Sequence, residues 1–206
     1  MAGINKVVKI LIYSDFFLNS AWGLLAPVFA IFIIQNIQGG DAKVAGFAAM
    51  TYWIAKSLLQ IPIGKYLDRN HGEKDDFIFV FFGTLLSGLV PFGFLLASSP
   101  WHLYGLQIFH AVGMAMALPA WSAIFTRHID KGHEAFEWGL DSTSLGFGAG
   151  IAGAAGGLLV AAFGFSVVLI LVGALTIISA VLLVLIRDEI SPKDKKIPHI
   201  PMRAPT

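Results

Sequence analysis

The chain has 206 residues, of which 56% are hydrophobic and 13% are charged, and its formal net charge is +1. Soluble domains carry about 25% charged residues, so the composition indicates an integral membrane protein instead. The chain contains no cysteine, which excludes disulfides and thiolate metal sites.

Six apolar stretches follow one another along the chain, and each is long enough to cross about 30 Å of hydrocarbon as a helix. They cover about 10–34, 44–67, 77–97, 101–125, 135–163 and 165–186. The first stretch lacks a small-residue cleavage site, so we expect it to be retained as a span. We predict an all-α membrane protein with one six-helix domain over residues 1–190. Residues 191–206 mix prolines with lysines and are predicted to form a disordered cytoplasmic tail.

Lysine and arginine are distributed unevenly over the connections between these spans. Of the 14 basic residues, 12 lie on one side, Lys43 lies on the other, and Lys56 falls within the second span. Because basic residues concentrate in cytoplasmic connections, this pattern predicts that both termini are cytoplasmic. We therefore expect a multi-pass protein of the cell membrane.

A faint internal repeat relates the first and fourth spans. The first contains AWGLLAPVFAIF and the fourth contains AMALPAWSAIF, with Pro27 and Pro119 at similar depths. The two spans run in opposite directions, which favours two inverted three-helix repeats, an arrangement common in transporters. Chance similarity between apolar strings is the alternative.

A charged segment, GKYLDR, joins the second and third spans. It resembles the signature loop of the major facilitator superfamily, approximately G-x-L-x-D-R-x-G-R-R. Gly64, Asp68 and Arg69 stand in register with this pattern. The next glycine, Gly72, is displaced by one position, and an acid–base pair follows where the family has two basic residues.

Two weaker matches accompany the first. In the fourth span, Gln107–Ala115 resembles the family's R-x-x-Q-G-x-G-A pattern, with Gln107 in place of arginine and His110 in place of glutamine. In the fifth span, Gly148–Gly157 resembles the antiporter motif G-P-x-x-G-G, with an alanine–glycine pair replacing glycine–proline. The resemblance extends over about residues 10–187.

The resemblance implies a secondary transporter of a small solute that works by alternating access. The family usually has twelve helices in two halves, and this chain resembles the N-terminal half. It therefore implies a partner, most simply a second copy in a homodimer. A heterodimeric transporter and a non-transporting scaffold or accessory protein are the alternatives. No motif of an enzyme, a metal site or a nucleic-acid-binding protein stands out, so we expect no catalysis and no cofactor.

The resemblance also implies roles for the charged segment as part of a cytoplasmic gate that includes Gly64 and Gly72. Asp68 is expected to cap a helix end in the opposite half. Arg69 is expected to pair with an acid near the end of the fourth helix, where Asp130 is the nearest candidate. A solvated loop that only fixes topology is the alternative.

The fifth span is rich in glycine, and small residues at four-residue spacing allow helices to approach closely in lipid. Since the fifth helices of the family lie between the halves, we predict a dimer interface on this span. Close packing within one subunit is the alternative. The predicted interface glycines are Gly146, Gly150, Gly153 and Gly157.

Polar residues within the spans are the strongest functional indicators, because a charge in lipid costs several kcal/mol. We predict that Lys56 pairs with Asp15 or Asp141, and that a carboxylate of this group or His110 couples transport to protons. Lys56 lies about 15 Å from the cytoplasmic edge, too far to reach water. His110 is either a packing residue or a ligand or proton site. The predicted substrate and coupling residues are Asp15, Asn19, Trp22, Lys56, Gln60, Gln107, His110, Trp121 and Asp141.

Overall fold

The computed structural model describes residues 3–69 and 72–190. Within these residues there are six long helices and no strand. The helices are α1 (Lys6–Asn36), α2 (Ala42–Arg69), α3 (Glu73–Phe94), α4 (Pro100–His128), α5 (Glu134–Phe163) and α6 (Phe165–Ile186). The predicted tail, 191–206, lies outside the described residues.

Several helices extend beyond the apolar stretches that predicted them. α1 begins at Lys6, where the side chain of Asn5 accepts a hydrogen bond of 2.8 Å from the backbone of Val7. α4 continues to His128. A helix ends where its backbone groups find caps and not where the apolar run ends, so hydropathy located the helices but not their limits.

The two prolines of the suspected repeat have different effects on their helices. At Pro27 the α-helical hydrogen bonding gives way to a 3-10 turn over Ala26–Val28, and the α-helix resumes at Phe29. Proline lacks the N–H that would continue the helical ladder, which accounts for the interruption. Pro119 lies inside α4, which remains a single α-helix from Pro100 to His128.

Five of the helices are long and apolar enough to cross a membrane: α1, α3, α4, α5 and α6. α2 has 28 residues, which is sufficient length, but it carries five of the charged residues of the chain. The charged residues of α2 are Lys43, Lys56, Lys65, Asp68 and Arg69. That α2 crosses the membrane, which would make six spans, therefore stays a prediction.

The helices pack in the order α5–α1–α6–α3–α4–α2. α1 lies against α5 and α6, α4 lies against α2 and α3, and α3 contacts α6. When α1, α2 and α3 are exchanged with α4, α5 and α6, the same order results, read in reverse. Such symmetry is what two three-helix repeats produce. α2 and α5 form the two ends of the series, and between them α1 faces α4.

Two apolar cores hold the bundle together, one towards each end. One core contains Phe32, Phe94 and Leu103, and the other contains Ile124 and Phe125. Between them, buried polar groups join helices, because an unpaired hydroxyl in an apolar interior is costly. The hydroxyls of Ser14 and Ser179 form one such link, a hydrogen bond of 2.9 Å between α1 and α6.

Close helix crossings depend on glycines at which a side chain would collide with a neighbouring backbone. A Cβ on Gly156 of α5 would overlap the carbonyl of Leu24 on α1. A Cβ on Gly23 of α1 would lie 3.2 Å from the Cα of Ala149 on α5. Part of the glycine content of α5 therefore serves packing within the subunit.

Candidate functional site

A cavity of about 370 Å³ lies between α1, α2 and α4, on the face of the bundle between α2 and α5. Its lining residues lie near the middle of α1 and α4, which places it at about mid-depth of the bundle, beside the core that contains Phe32. Most of its wall is aromatic or aliphatic, and no acidic residue lines it among those the structure describes. The lining residues are Leu18, Asn19, Trp22, Leu25, Ala26, Phe29, Ala49, Tyr52, Trp53, Gln107, His110 and Met114.

Three aromatic rings form a stack across the cavity wall and join its three helices. The imidazole of His110 on α4 lies 3.7 Å from the ring of Trp22 on α1, with an angle of 10° between the planes. Its other neighbour is Tyr52 on α2, at 4.6 Å and 29°. Since stacked rings gain both apolar burial and electrostatic attraction, this stack fixes the position of His110 in the wall. His110 therefore has a packing role and also lines the cavity.

Lys56 lies beside this cavity and is not paired with a carboxylate of any residue that the structure describes. Its ammonium group lies 5.0 Å from the centre of the Trp53 ring and 5.9 Å from that of Tyr52. A cation over an aromatic face is attracted by the ring quadrupole. The predicted ion pair with Asp15 or Asp141 is absent from the described residues. The reason is that α2 packs on α4, whereas both aspartates lie where α1 meets α5.

Asp15 and Asp141 instead lie on α1 and α5, two helices that pack against each other. Asp15 and Asp141 lie within electrostatic range of each other. Asn19 donates a hydrogen bond of 3.0 Å to Oδ1 of Asp15, which connects this pair to the cavity wall. Oδ1 of Asp141 is buried and has no hydrogen-bond partner in the part of the chain that the structure describes. Two anions so placed repel each other unless one is neutralised, which makes this pair a candidate proton site.

The structure places some of the predicted substrate residues away from the cavity. Trp121 belongs to one of the apolar cores, where it stacks on Phe125 at 4.7 Å and its Nε1 donates a hydrogen bond to the carbonyl of Leu11. Gln60 is half-buried on α2 and is not among the lining residues. Asn19, Trp22, Gln107 and His110 do line the cavity.

Tyr52 and Trp53 were not predicted as site residues, although both contact the cavity. Aromatic side chains are common throughout apolar spans, so their type alone carried no signal. The signal that could have found them is their position one turn before Lys56, at i−4 and i−3, which places them beside its side chain. Phe29 and Met114 had no such signal.

The predicted gate residues lie at one end of the bundle, where the structure pairs their neighbours differently from the expectation. Asp68 and Arg69 are exposed at the end of α2 and make no ion pair with any described residue. Asp130 accepts a hydrogen bond of 3.1 Å from the backbone of Asn5, and its own N–H donates to Glu137. The predicted Arg69–Asp130 pair is therefore not formed. Gly64 lies within α2 and Gly72 precedes α3.

Other charged residues at this end of the bundle do form pairs. We call this end the charged end, and the following pairs define it. Asp76 pairs with Arg127, and His128 lies 3.2 Å from Glu73. Lys6 donates a hydrogen bond of 2.9 Å to Glu189, which holds the pKa of that carboxyl below its ordinary value. These pairs connect α3 to α4, and α1 to the segment after α6. The acidic run that departs from the family pattern thus meets bases at the end of α4.

The predicted interface glycines of α5 divide into two groups. A Cβ on Gly146, Gly150 or Gly157 would meet nothing within 4 Å, and the same holds for Gly139. Their spacing places these four on one helix face. Gly153 faces α1 instead, since its Cβ would lie 3.9 Å from Pro27.

Comparison with known proteins shows which family this chain is similar to. The family model for the Major Facilitator Superfamily matches residues 12–204. The chain is 25% identical over 175 residues to a protein of Lactococcus lactis subsp. lactis (strain IL1403), named multi-drug resistance efflux pump PmrA homolog. This match covers 84% of the chain and 42% of the relative.

A solved structure has a similar fold. The crystal structure of the POT family transporter PepTSo matches with a TM-score of 0.70 over 92% of this chain and 40% of that one. The sequence identity is 14%, so the likeness concerns the fold alone. The chain thus spans about two fifths of the length of the proteins that it matches.

Proposed function

The chain belongs to the major facilitator superfamily, and from this premise we propose that it moves a small solute across the cell membrane by alternating access. In this proposal all six helices span the membrane, both termini are cytoplasmic, and the helices form one half of the transporting unit. The family and the apolar helices point to a multi-pass transporter and not to an enzyme.

The observation that carries the proposal is the cavity between α1, α2 and α4. It lies at mid-depth, where transporters bind solutes, and on the face between α2 and α5 that the bundle leaves open. A second six-helix half placed against this face would enclose the cavity. Rocking of one half against the other would then expose it to each side of the membrane in turn.

We further propose that the second half is a second copy of this chain. A Cβ on Gly139, Gly146, Gly150 or Gly157 would meet no described residue within 4 Å, so this face of α5 is open in the described part of the subunit. Glycines at such spacing suit a close helix–helix contact in lipid. A two-fold axis along the membrane normal, in front of the open face, would bring this face of α5 against α2 of the other copy and would place the two cavities opposite each other.

Proton coupling is proposed to run through Asp15 and Asp141. A proton on one carboxylate removes the repulsion between them, and its release restores that repulsion across the α1–α5 contact. Asn19 connects Asp15 to the cavity wall, so solute binding and protonation can influence each other. His110 is the alternative proton site, because it also lines the cavity.

The cytoplasmic gate is proposed to involve Asp68, which is exposed and unpaired within the described residues. In a dimer its carboxylate would cap the start of α5 in the second copy, where unsatisfied N–H groups favour an anion. Arg69 is free to join the same contact. Formation and loss of this contact would bias the transporter between its two open states.

The test is solute flux in proteoliposomes that contain the purified full chain. The name of the Lactococcus relative makes a panel of drug-like solutes the first choice. We expect saturable flux that Trp22→Ala lowers at least about tenfold, since this loss removes a wall of the cavity. Trp101→Ala is the matched control, because Trp101 is 80% exposed and lies outside the cavity.

Two results would favour one of the alternatives to a homodimeric transporter. Flux that appears only when a different six-helix protein is co-reconstituted would favour a heterodimeric transporter. A folded, membrane-inserted protein without flux of any solute in the panel, alone or with such a partner, would favour a non-transporting scaffold or accessory protein.

A further inference from the structure

Lys56 is a cation within a proposed span, and no anion of the described residues lies beside it. No carboxylate of the described residues pairs with it, and its neighbours are the faces of Trp53 and Tyr52. A charged amine in such surroundings costs several kcal/mol unless a counter-ion offsets the loss of water. Cation–π attraction supplies only about 1–2 kcal/mol of this. The site therefore lacks an anion.

The cavity wall beside Lys56 favours hydrogen-bond acceptors in a ligand. None of the described lining residues is acidic. Nε1 of Trp22 is a buried donor without a hydrogen-bond partner among the described residues. Gln107 is nearly buried and makes no hydrogen bond with a described residue. Asn19, in contrast, already donates through its Nδ2 to the backbone carbonyl and to Oδ1 of Asp15.

The shape and chemistry of the remaining wall favour a flat ring. His110 already lies between Trp22 and Tyr52 as a planar group in a stack. The Trp53 ring is part of the wall, and the residue is 60% exposed, so it offers a surface for a further ring. A cavity of about 370 Å³ accommodates a small two-ring compound.

We propose that the solute class is a planar aromatic carboxylate, with its carboxylate on Lys56 and its ring stacked on Trp53. The inference rests on the proposed function in that it takes this cavity to be the solute site. The solute then supplies the counter-ion that the protein lacks. Its binding neutralises Lys56, and its departure leaves the ammonium on the two rings.

The test compares three ligands of the same shape on the purified full chain: 2-naphthoate, the neutral 2-naphthamide and the cationic 2-naphthylmethylamine. Equilibrium binding is followed through quenching of tryptophan fluorescence, since Trp22 and Trp53 line the cavity. We expect 2-naphthoate to bind at least about tenfold more tightly than the other two. Lys56→Gln should remove this preference without weakening 2-naphthamide, and Lys56→Arg should retain it.

Lys43→Gln is the matched control, because it removes a lysine from an exposed position at the start of α2 and should leave all three affinities unchanged. Trp53→Leu is a second variant that keeps Lys56 in place. It should weaken both 2-naphthoate and 2-naphthamide, because both lose the ring on which they stack.

The inference is overturned if the cation binds as tightly as the anion, or if folded Lys56→Gln keeps the preference for 2-naphthoate. The latter result would mean that another cation binds the carboxylate. Flux of the same ligands in proteoliposomes separates this inference from the proposed function. Selective binding without flux contradicts the transport proposal alone, and flux of other solutes without anion preference contradicts only this inference.

Discussion

Asp76 on α3 and Arg127 on α4 form an ion pair at the charged end in which the Asp76 side chain is fully buried, with 0% exposed. Oδ2 of Asp76 accepts from Arg127, and Oδ1 has no partner among the described residues. The pair joins helices that are adjacent in sequence and antiparallel. It lies close to Glu73 and His128, which form a second contact between the same two helix ends.

We predict that Arg127→Gln destabilises the fold by about 3 kcal/mol, because it leaves a buried carboxylate without its counter-ion. The measurement is the thermal unfolding midpoint in detergent. Lys131→Gln is the control, since Lys131 is exposed in the adjoining loop and should change stability by less than about 0.5 kcal/mol. Adding Asp76→Asn to Arg127→Gln should recover part of the loss. Equal stability of Arg127→Gln and the unaltered protein would mean that the pair contributes nothing.

A second prediction concerns Asp15 and Asp141. If they form the proton site, Asp141→Asn should reduce flux driven by a proton gradient at least about tenfold, the effect of 1.4 kcal/mol. Exchange of solute without a gradient should persist, since the cavity wall is intact. The measurement is flux with and without an imposed pH difference.

The control for this prediction is Asp41→Asn. Asp41 accepts a hydrogen bond of 2.8 Å from the backbone of Val44 at the start of α2, and asparagine caps a helix equally well. Gradient-driven flux that survives in both Asp15→Asn and Asp141→Asn would exclude the pair and favour His110.

The sequence was sufficient to predict the helices and the family, because long apolar runs and the GKYLDR segment are local signals. Four of the predicted substrate and coupling residues, Trp22 and His110 among them, line the cavity, and their role in transport stays a prediction. The predicted partner of Lys56 was wrong, because hydropathy gives the depth of a residue and not the helix that it faces. Lys56 and Asp15 both fall within predicted spans, whereas packing places α2 against α4 and α1 against α5.

The paired charges of the charged end were missed for a related reason. Asp76 and Arg127 are far apart in sequence, and each stands in a run of polar residues that is typical of a solvated connection. Only the antiparallel packing of α3 on α4 brings the acidic start of one helix to the basic end of the other. In the same way, the glycines of α5 look alike in the sequence but have two roles. Only the position of α1 shows which of them pack within the subunit.

A third prediction tests the proposed gate. Asp68→Asn should leave the stability of the single subunit within about 0.5 kcal/mol, because Asp68 is exposed and unpaired. It should nevertheless shift the balance between the two open states, since a neutral amide caps the partner helix less strongly than a carboxylate. Distances between spin labels at the charged end, with and without solute, would measure the shift.

Asp188→Asn is the control for the gate, because it removes the same charge from another exposed position at the charged end. Identical distance distributions for Asp68→Asn and the unaltered protein would mean that the segment is only a solvated loop. A shift shared by both variants would indicate a general effect of charge.

The last prediction uses two glycines of α5 to separate folding from association. Gly156→Val should prevent stable packing of the subunit, because its side chain would overlap the backbone of Leu24. Gly150→Val should leave the subunit folded, since a Cβ there meets nothing within 4 Å. If Gly150 lies in the interface between two copies, the same change should weaken the dimer at least about tenfold, because bulk keeps the helices apart. Thermal unfolding reports the first effect, and counting of photobleaching steps in dilute liposomes reports the second.

Ile151→Val is the control on the neighbouring position of α5, because Ile151 is 69% exposed and the change adds no bulk. Subunits that remain single in every variant, while solute flux persists, would exclude the homodimer and leave the other half of the transporter to a different polypeptide segment.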